Sequence, residues 1–257
     1  MKKSVFTIVF AGLGLVAAQS AIVLDEPFTY ADGSLITVSG GLWATHSGTT
    51  PGQVDVTGNK VNITSAETED VNRFISGGAG LFFNAGILTA TFDATFSALP
   101  TAGGSYFAHF KDDGTSNFRG RVFATTTGAG SGLFRMGIAD TTNTFVPFVL
   151  DLSLGTTYSV TLSLDVASGR SSLAINGGTP VAATDATSAL NVSTFALRQS
   201  TGEGTLALDN LVVDASTPAV PEPSTFVSLI GGVGMLMGFR RLRGSYGSVR
   251  RNPAQAR

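Results

Sequence analysis

The chain has 257 residues, 43% hydrophobic and only 13% charged, with no cysteine and a formal net charge of −2. The missing cysteines exclude disulfides and thiolate metal or redox centres. The charge is uneven: between Ala21 and Val220 eight Lys and Arg stand against seventeen Asp and Glu, a balance of −9, with the other eight basic residues in the terminal segments. An acidic domain of this kind argues against nucleic acid and anionic lipid as partners.

At the start, Lys2-Lys3 precede an apolar run from Val5 to Ala18, and Ala18-Gln19-Ser20 supplies small residues. This is the order of a secretory signal peptide, predicted over residues 1–20 and removed on export. The remainder, residues 21–217, is long enough for one domain with its own core.

Abundant Thr, Ser, Gly and Val, recurring turn residues and the lack of a long 3.6-residue period predict an all-β domain. Val23–Asp25 reads as the first strand, and Trp43, the only tryptophan, as a core anchor. Val54–Val56 and Lys60–Thr64 form a hairpin across Thr57-Gly58-Asn59, and Val71–Ile75 is another short strand. In Leu88–Ala98, Leu88, Ala90, Phe92, Ala94, Phe96 and Ala98 alternate with Thr, Asp and Ser, the signature of an antiparallel strand with one wet face. Tyr106–Phe110, Phe118–Thr125, Leu133–Ile138 and Val146–Leu152 are further strands, with Asp112-Asp113-Gly114 and Gly128–Gly132 as turns. By simple alternation His109 shares a face with Phe107 and Lys111, near a sheet edge. Tyr158–Val166 alternates as cleanly as Leu88–Ala98, turns at Ala167–Arg170 and returns through Leu173 and Ile175. Phe195–Arg198 and Leu206–Val213 close the domain, with Asp209-Asn210 breaking the last apolar run. About a dozen strands of this kind predict an antiparallel β-sandwich or jelly roll, with a Greek-key barrel as the alternative.

The tail has three blocks: Pro221-Glu222-Pro223, a charge-free run Phe226–Phe239, and a basic cluster of Arg240, Arg241 and Arg243. The prolines impose an extended segment. The apolar run covers roughly 21 Å as a helix, and flanking Ser, Thr and snorkelling arginines extend it toward the ~30 Å of a bilayer core. Residues 218–243 resemble the PEP-CTERM sorting signal of exported bacterial proteins, matching its motif and the order of its blocks; residues 244–257 add a basic tail that such signals usually lack. The resemblance implies an exosortase-type processing enzyme as partner, a transient C-terminal helix in the inner membrane of a Gram-negative-type bacterium, and a cell-surface or extracellular product ending near Val220.

Tyr158–Asp165, the Ser168-Gly169 turn and Leu173–Gly177 resemble the strand–turn–strand of laminin-G/concanavalin A-like domains, and Leu208–Val213 resembles their last strand. Such folds often hold calcium in loops rich in Asp and Asn, which implies Asp112, Asp113, Asp209 and Asn210 as candidate ligands, with Glu67–Asp70 as a further acidic loop. Phe118–Phe123 is the most basic and aromatic stretch. Arg119, Arg121 and Phe123 are candidate glycan contacts through guanidinium–aromatic stacking; the plainer reading pairs both arginines with Asp112 or Asp113.

His46 and His109 stand far apart with no ligand spacing, and neither a glucanase carboxylate pattern nor a Gly-x-Ser-x-Gly elbow occurs. No catalytic residue is predicted. The two resemblances imply an exported, non-enzymatic surface or matrix protein with polysaccharide as its suggested ligand; the alternative is a divergent polysaccharide-cleaving enzyme on a concanavalin A-like fold.

Overall fold

The computed structural model describes residues 20–114 and 116–216. Residues 1–19 of the predicted signal peptide, Pro221, Glu222, Pro223, the apolar run, Arg240, Arg241, Arg243 and the basic tail lie outside the described residues. Seven strands carry the chain to residue 98: β1 Ser20–Glu26, β2 Gly33–Ser34, β3 Ala44–Ser47, β4 Asp55–Thr57, β5 Lys60–Thr64, β6 Asp70–Phe74 and β7 Ile87–Ala98. Nine follow: β8 Ser105–Lys111, β9 Phe118–Thr125, β10 Arg135–Ala139, β11 Val146–Pro147, β12 Thr157–Asp165, β13 Arg170–Ile175, β14 Val181–Ala182, β15 Thr194–Arg198 and β16 Thr205–Ser216. One helical turn, α1 (Leu35–Val38), lies between β2 and β3.

Every pairing is antiparallel, and the strands form two sheets. The nine-stranded sheet runs β14-β13-β12-β7-β16-β5-β4-β2, with β1 also on β16; the seven-stranded sheet runs β11-β10-β9-β8-β15-β6-β3. The domain is therefore an antiparallel β-sandwich, as its alternating strands require.

The long strand β16 holds the first sheet together. Its first half pairs with β5 through Thr205–Leu208, and its second half pairs with β1 through Leu211–Ser216. The break between them is the predicted Asp209-Asn210 interruption: Asn210 has φ +53° and its side-chain amide donates to Asp93 Oδ2 at 2.9 Å. The domain's two ends also meet here, Ser20 opposite Ser216.

The sheets pack through aromatic rings. Phe92 and Phe96 of β7 meet Phe107 of β8 edge to face at 6.3 and 5.7 Å, and Phe96 lies 4.4 Å from Phe134. Such pairs add about 0.5–1.5 kcal/mol each beyond the area they bury. Trp43 is buried as predicted, its indole N–H donating to Glu26. Glu26 also accepts from Phe28 N at 3.0 Å and Tyr30 Oη at 2.8 Å and pairs with Arg73, so this buried carboxylate is fully partnered.

Three local departures from the predicted strands have simple causes. Val146–Leu152 is reduced to the two-residue strand Val146–Pro147 and an isolated bridge of Leu152 to Phe134, Pro147 having no N–H to give to a ladder. The β4–β5 hairpin forms as predicted but on two residues rather than three: Thr57 joins β4, and Gly58 and Asn59 stand at positive φ (59° and 61°), as a two-residue primed turn requires. The third departure matters most. β8 and β9 pair with two register shifts, between Tyr106 and Ala108 and between Ala108 and Phe110. β8 contributes the extra residue at the first shift and β9 at the second, where Gly120 has φ +62°. His109 is accordingly in the middle of the sheet rather than near an edge, and Phe107 points into the core, away from it.

A methyl group at Gly120 would sit 3.1 Å from Leu162 Cδ1 on the facing sheet, in a backbone conformation that L-residues disfavour. Gly120→Ala is expected to destabilise the domain by about 1–3 kcal/mol, visible as a lower thermal midpoint by circular dichroism; an unchanged midpoint would mean the bulge tolerates a side chain.

Candidate functional site

The bulges decide what the seven-stranded sheet shows on the face turned away from the other sheet. On β8, Phe107, Ala108 and Phe110 belong to the core, whereas Tyr106 and His109 belong to the opposite face. From β9 that face receives Phe118, Arg121 and Phe123, from β15 Arg198, and from β3 His46. Arg198 Cζ stands 4.3 Å from the centre of the Tyr106 ring and Arg121 Cζ 5.1 Å from it, so two cations share one aromatic ring. Phe118 and Phe123 flank Tyr106 at 6.1 and 5.5 Å.

The wall beside Arg121 comes from residues 140–145. Asp185 accepts from the backbone N–H groups of Asp140, Thr141 and Thr142 at 2.8, 2.6 and 2.8 Å. Burial opposes the charge of Asp185, yet those donors hold its carboxyl down to about 2. The segment so fixed presents Asn143 Oδ1 at 3.2 Å and the Thr142 carbonyl to the Arg121 guanidinium. Phe145 then stacks on Phe123 at 4.8 Å, over Gly137, where a methyl group would stand 2.5 Å from its ring. A cavity of about 160 Å³ opens between Gly103, Gly104, Ser105, Tyr106, Phe123, Asn143 and Arg198.

The two histidines, remote in sequence, come together: their ring centres are 6.3 Å apart. His109 is wholly buried, and neither ring nitrogen of either histidine has a partner among the described residues. Burial, with the charge of Lys111, pushes His46 down to about 4 from its ordinary 6.5. His109 is held well below its usual range by burial, then by His46, Lys111, Arg198 and Arg121. Both imidazoles are neutral at physiological pH, and three cations border them. At the margin, burial raises the Glu203 carboxyl to about 7, against a hydrogen bond from Ser200 N.

Of the sequence candidates, Arg121 and Phe123 belong to this site and Arg119 does not. Arg119 precedes the Gly120 bulge and turns to Ser188, donating to its carbonyl at 3.1 Å and its hydroxyl at 3.1 Å. Neither Arg119 nor Arg121 is paired with Asp112 or Asp113. Asp112 caps its own turn, accepting from Gly114 N at 2.9 Å and Asn117 Nδ2 at 2.6 Å. Asp209 and Asn210 lie on the other sheet, so the four calcium candidates fall into two separate pairs. Glu69 is committed to Thr45 Oγ1 and to the backbone N–H groups of Gln53 and Val54. Among the described residues no group of three or more His, Asp or Glu could hold a metal ion. Tyr106, Arg198, His46 and Asn143 were not singled out by the sequence; aromatic and basic residues that the bulges bring to one face leave no linear motif.

No protein-family model matches the sequence, and no characterised protein matches it. The structure is similar to peanut lectin (14% identity, 78% of this chain and 98% of the lectin, TM-score 0.49). It is similar also to an endo-1,3-beta-glucanase from Streptomyces sioyaensis (13% identity, 80% of this chain and 100% of the glucanase, TM-score 0.49). A sialidase shares 16% identity over 72% of this chain with a TM-score of 0.47, and this chain spans only 18% of its length. At these values no residue role passes from those proteins to this one.

Two titrations of opposite sign follow from the burial. Glu203 is raised to about 7 from 4.5, so its stability contribution is full below about pH 4.5 and lost as pH rises to about 7. Glu203→Gln is expected to raise the thermal midpoint at pH 8 and leave it unchanged at pH 4; equal effects at both would contradict the shift. His46 is depressed to about 4 and His109 is depressed too, so their contribution is full above about pH 6.5 and is lost as pH falls toward 4. The double variant His46→Gln, His109→Phe should lose less stability than wild type between pH 6.5 and 4, measured by urea unfolding; parallel curves would show that the histidines do not titrate there.

Proposed function

We propose that this protein is an exported, non-enzymatic polysaccharide-binding protein with a concanavalin A/laminin-G-like sandwich, sorted to the cell surface or extracellular matrix by its PEP-CTERM-like tail. The observation that carries the binding reading is Tyr106, held between the Arg121 and Arg198 guanidinium groups at the mouth of a cavity. Sugar rings present C–H faces to aromatic rings and hydroxyls to fixed polar groups. The cavity offers both: Tyr106 and Phe123 as platforms, Ser105, Asn143, Arg198 and the Gly103-Gly104 backbone as hydrogen-bonding groups. The lining is more polar than apolar, with Tyr106 and Phe123 as its aromatic part, and a concave site with convergent polar groups is where a small polar ligand is held.

The other sheet offers a contrasting surface. Thr89, Thr91 and Thr95 of β7 face Ser163, Thr161 and Thr157 of β12 in register, bridged by hydroxyl contacts of 3.3 Å (Thr89–Ser163) and 2.8 Å (Thr95–Thr157). That face is a polar ladder without aromatic platforms.

The alternative, a polysaccharide-cleaving enzyme, needs a proton carrier in reach of the substrate; His109 lies 5.3 Å from the Tyr106 ring, centre to centre, but is wholly buried with both nitrogens unpartnered. Hydrolysis by paired carboxylates has less support. The carboxylate nearest Arg198 is Asp70, already bonded to Ser47 Oγ and Gln199 N.

With the full-length protein and a panel of neutral and acidic polysaccharides, affinity electrophoresis is expected to show retardation. Tyr106→Ala should weaken it about five- to thirtyfold, given stacking and cation–π contributions of about 1–2 kcal/mol. Thr161→Ala, on the polar ladder, should leave it intact. Retention by Tyr106→Ala, with its thermal midpoint preserved, would remove the site from the account. New reducing or unsaturated chain ends after incubation would establish the enzymatic alternative. The sorting reading predicts that the intact mass of surface-associated protein lacks the residues after about Val220; a surface form retaining Arg257 would contradict it.

A further inference from the structure

We infer that the Tyr106 cavity selects a sugar bearing an anionic group, a carboxylate or a sulfate, over a neutral one; the inference rests on the polysaccharide-binding reading above. It begins from a local reversal of charge. The domain carries seventeen acidic residues against eight basic ones, yet three of those eight, Lys111, Arg121 and Arg198, gather around the two histidines on one face of the seven-stranded sheet. The histidines add no charge of their own.

The partners of these cations point the same way. Elsewhere three arginines are neutralised directly, Arg73 by Glu26, Arg135 by Asp151 at 2.6 Å, and Arg170 by Asp140 at 3.1 Å, while Arg119, outside the cavity, is held by the Ser188 carbonyl and hydroxyl. Arg121, only 5% exposed, is held by neutral acceptors, the Thr142 carbonyl and the Asn143 side chain, and its Nε has no partner among the described residues. Lys111, wholly buried, donates to the Asp112 carbonyl at 2.8 Å rather than to a carboxylate. Arg198 gives NH1 to the Ser105 hydroxyl at 2.7 Å, while its Nε stands 3.8 Å from Asp70 Oδ2, well beyond the 2.7–2.9 Å of a charge-assisted hydrogen bond. Asp70, Asp112, Asp113 and Asp185 act on these cations through space without a close hydrogen bond to them, so the charges are only partly compensated for their desolvation. An incoming anion supplies what the protein withholds, and the planar guanidinium fork of Arg198 on the cavity wall suits carboxylate and sulfate oxygens alike. Aromatic rings on the same wall keep the requirement for a sugar face, so a free inorganic anion meets only half of the site.

The acidic remainder of the domain repels a polyanion, so the test belongs at about 0.15 M salt, where the Debye length is near 8 Å and distant carboxylates are screened. Full-length protein is titrated by calorimetry with polygalacturonate, with the same polymer after reduction of its carboxyl groups, and with a sulfated galactan. We expect polygalacturonate or the sulfated galactan to bind at least about tenfold more tightly than the reduced polymer, and Arg198→Gln to abolish most of that difference. Preference for the sulfated polymer alone would support the inference with sulfate as the group. Equal binding of polygalacturonate and its reduced form would overturn the anion requirement while leaving polysaccharide binding in place. If no polymer of any charge binds, the polysaccharide reading itself fails, and this inference with it. An Arg198→Gln variant that keeps both its thermal midpoint and the full preference would also overturn the inference.

Discussion

The site depends on two compensating β-bulges in adjacent central strands. A regular ladder would have put Tyr106 and Ala108 on one face and Phe107 and His109 on the other, separating Tyr106 from His109. One extra residue on β8 and one on β9 let Phe107, Ala108 and Phe110 stay in the core while Tyr106 and His109 emerge on the opposite side. The ladder then re-closes against β15, where Phe110 faces Phe195 and His109 faces Ala196. The irregularity is thereby confined to the site. Bulges re-aim side chains in this way where a sheet must present something other than its default alternation.

The same irregularity marks where the sequence stops being readable. In Leu88–Ala98 and Tyr158–Val166 hydrophobic and polar residues alternate without interruption, and both strands form with the predicted inward and outward sets, apart from Ala98, which is exposed at the strand end. Those two elements, with the primed turn at Gly58-Asn59 and the break at Asn210, carry most of the sandwich. Phe118–Thr125 was also legible as a strand, down to its ends. Its facing was not: Arg119 and Arg121, two residues apart, belong on one face in a regular strand, and Gly120 at positive φ separates them. A glycine within a strand is the one local signal of such a bulge. Nothing local signals that Arg198, 77 positions further on, will complete the stack over Tyr106, since that contact depends on β15 pairing with β8.

The two outer faces of the sandwich divide the chemistry. One is a ladder of threonine and serine hydroxyls that satisfy each other and water; its regularity suits stability and solubility. The other gathers most of the domain's unusual electrostatics into a small area: neutral histidines, arginines facing neutral acceptors, and a carboxyl at Glu203 raised by burial. Strained, desolvated and under-partnered groups cluster where function needs them, with the cost met by packing elsewhere. Here that packing is the aromatic core between the sheets, which reaches Phe107 directly behind Tyr106, and the Glu26 network.

The most direct measurement is an NMR titration of the isotopically labelled protein with a defined acidic oligosaccharide, following backbone amides and the Tyr106 and histidine ring signals. The account predicts shift changes concentrated at Gly104, Ser105, Tyr106, Asn143 and Arg198, extending to His109, with the Thr91 and Thr161 amides unmoved. Changes confined to the threonine ladder, or to the Leu81-Phe82 loop near Asp112 and Asp113, would place the ligand elsewhere and contradict it.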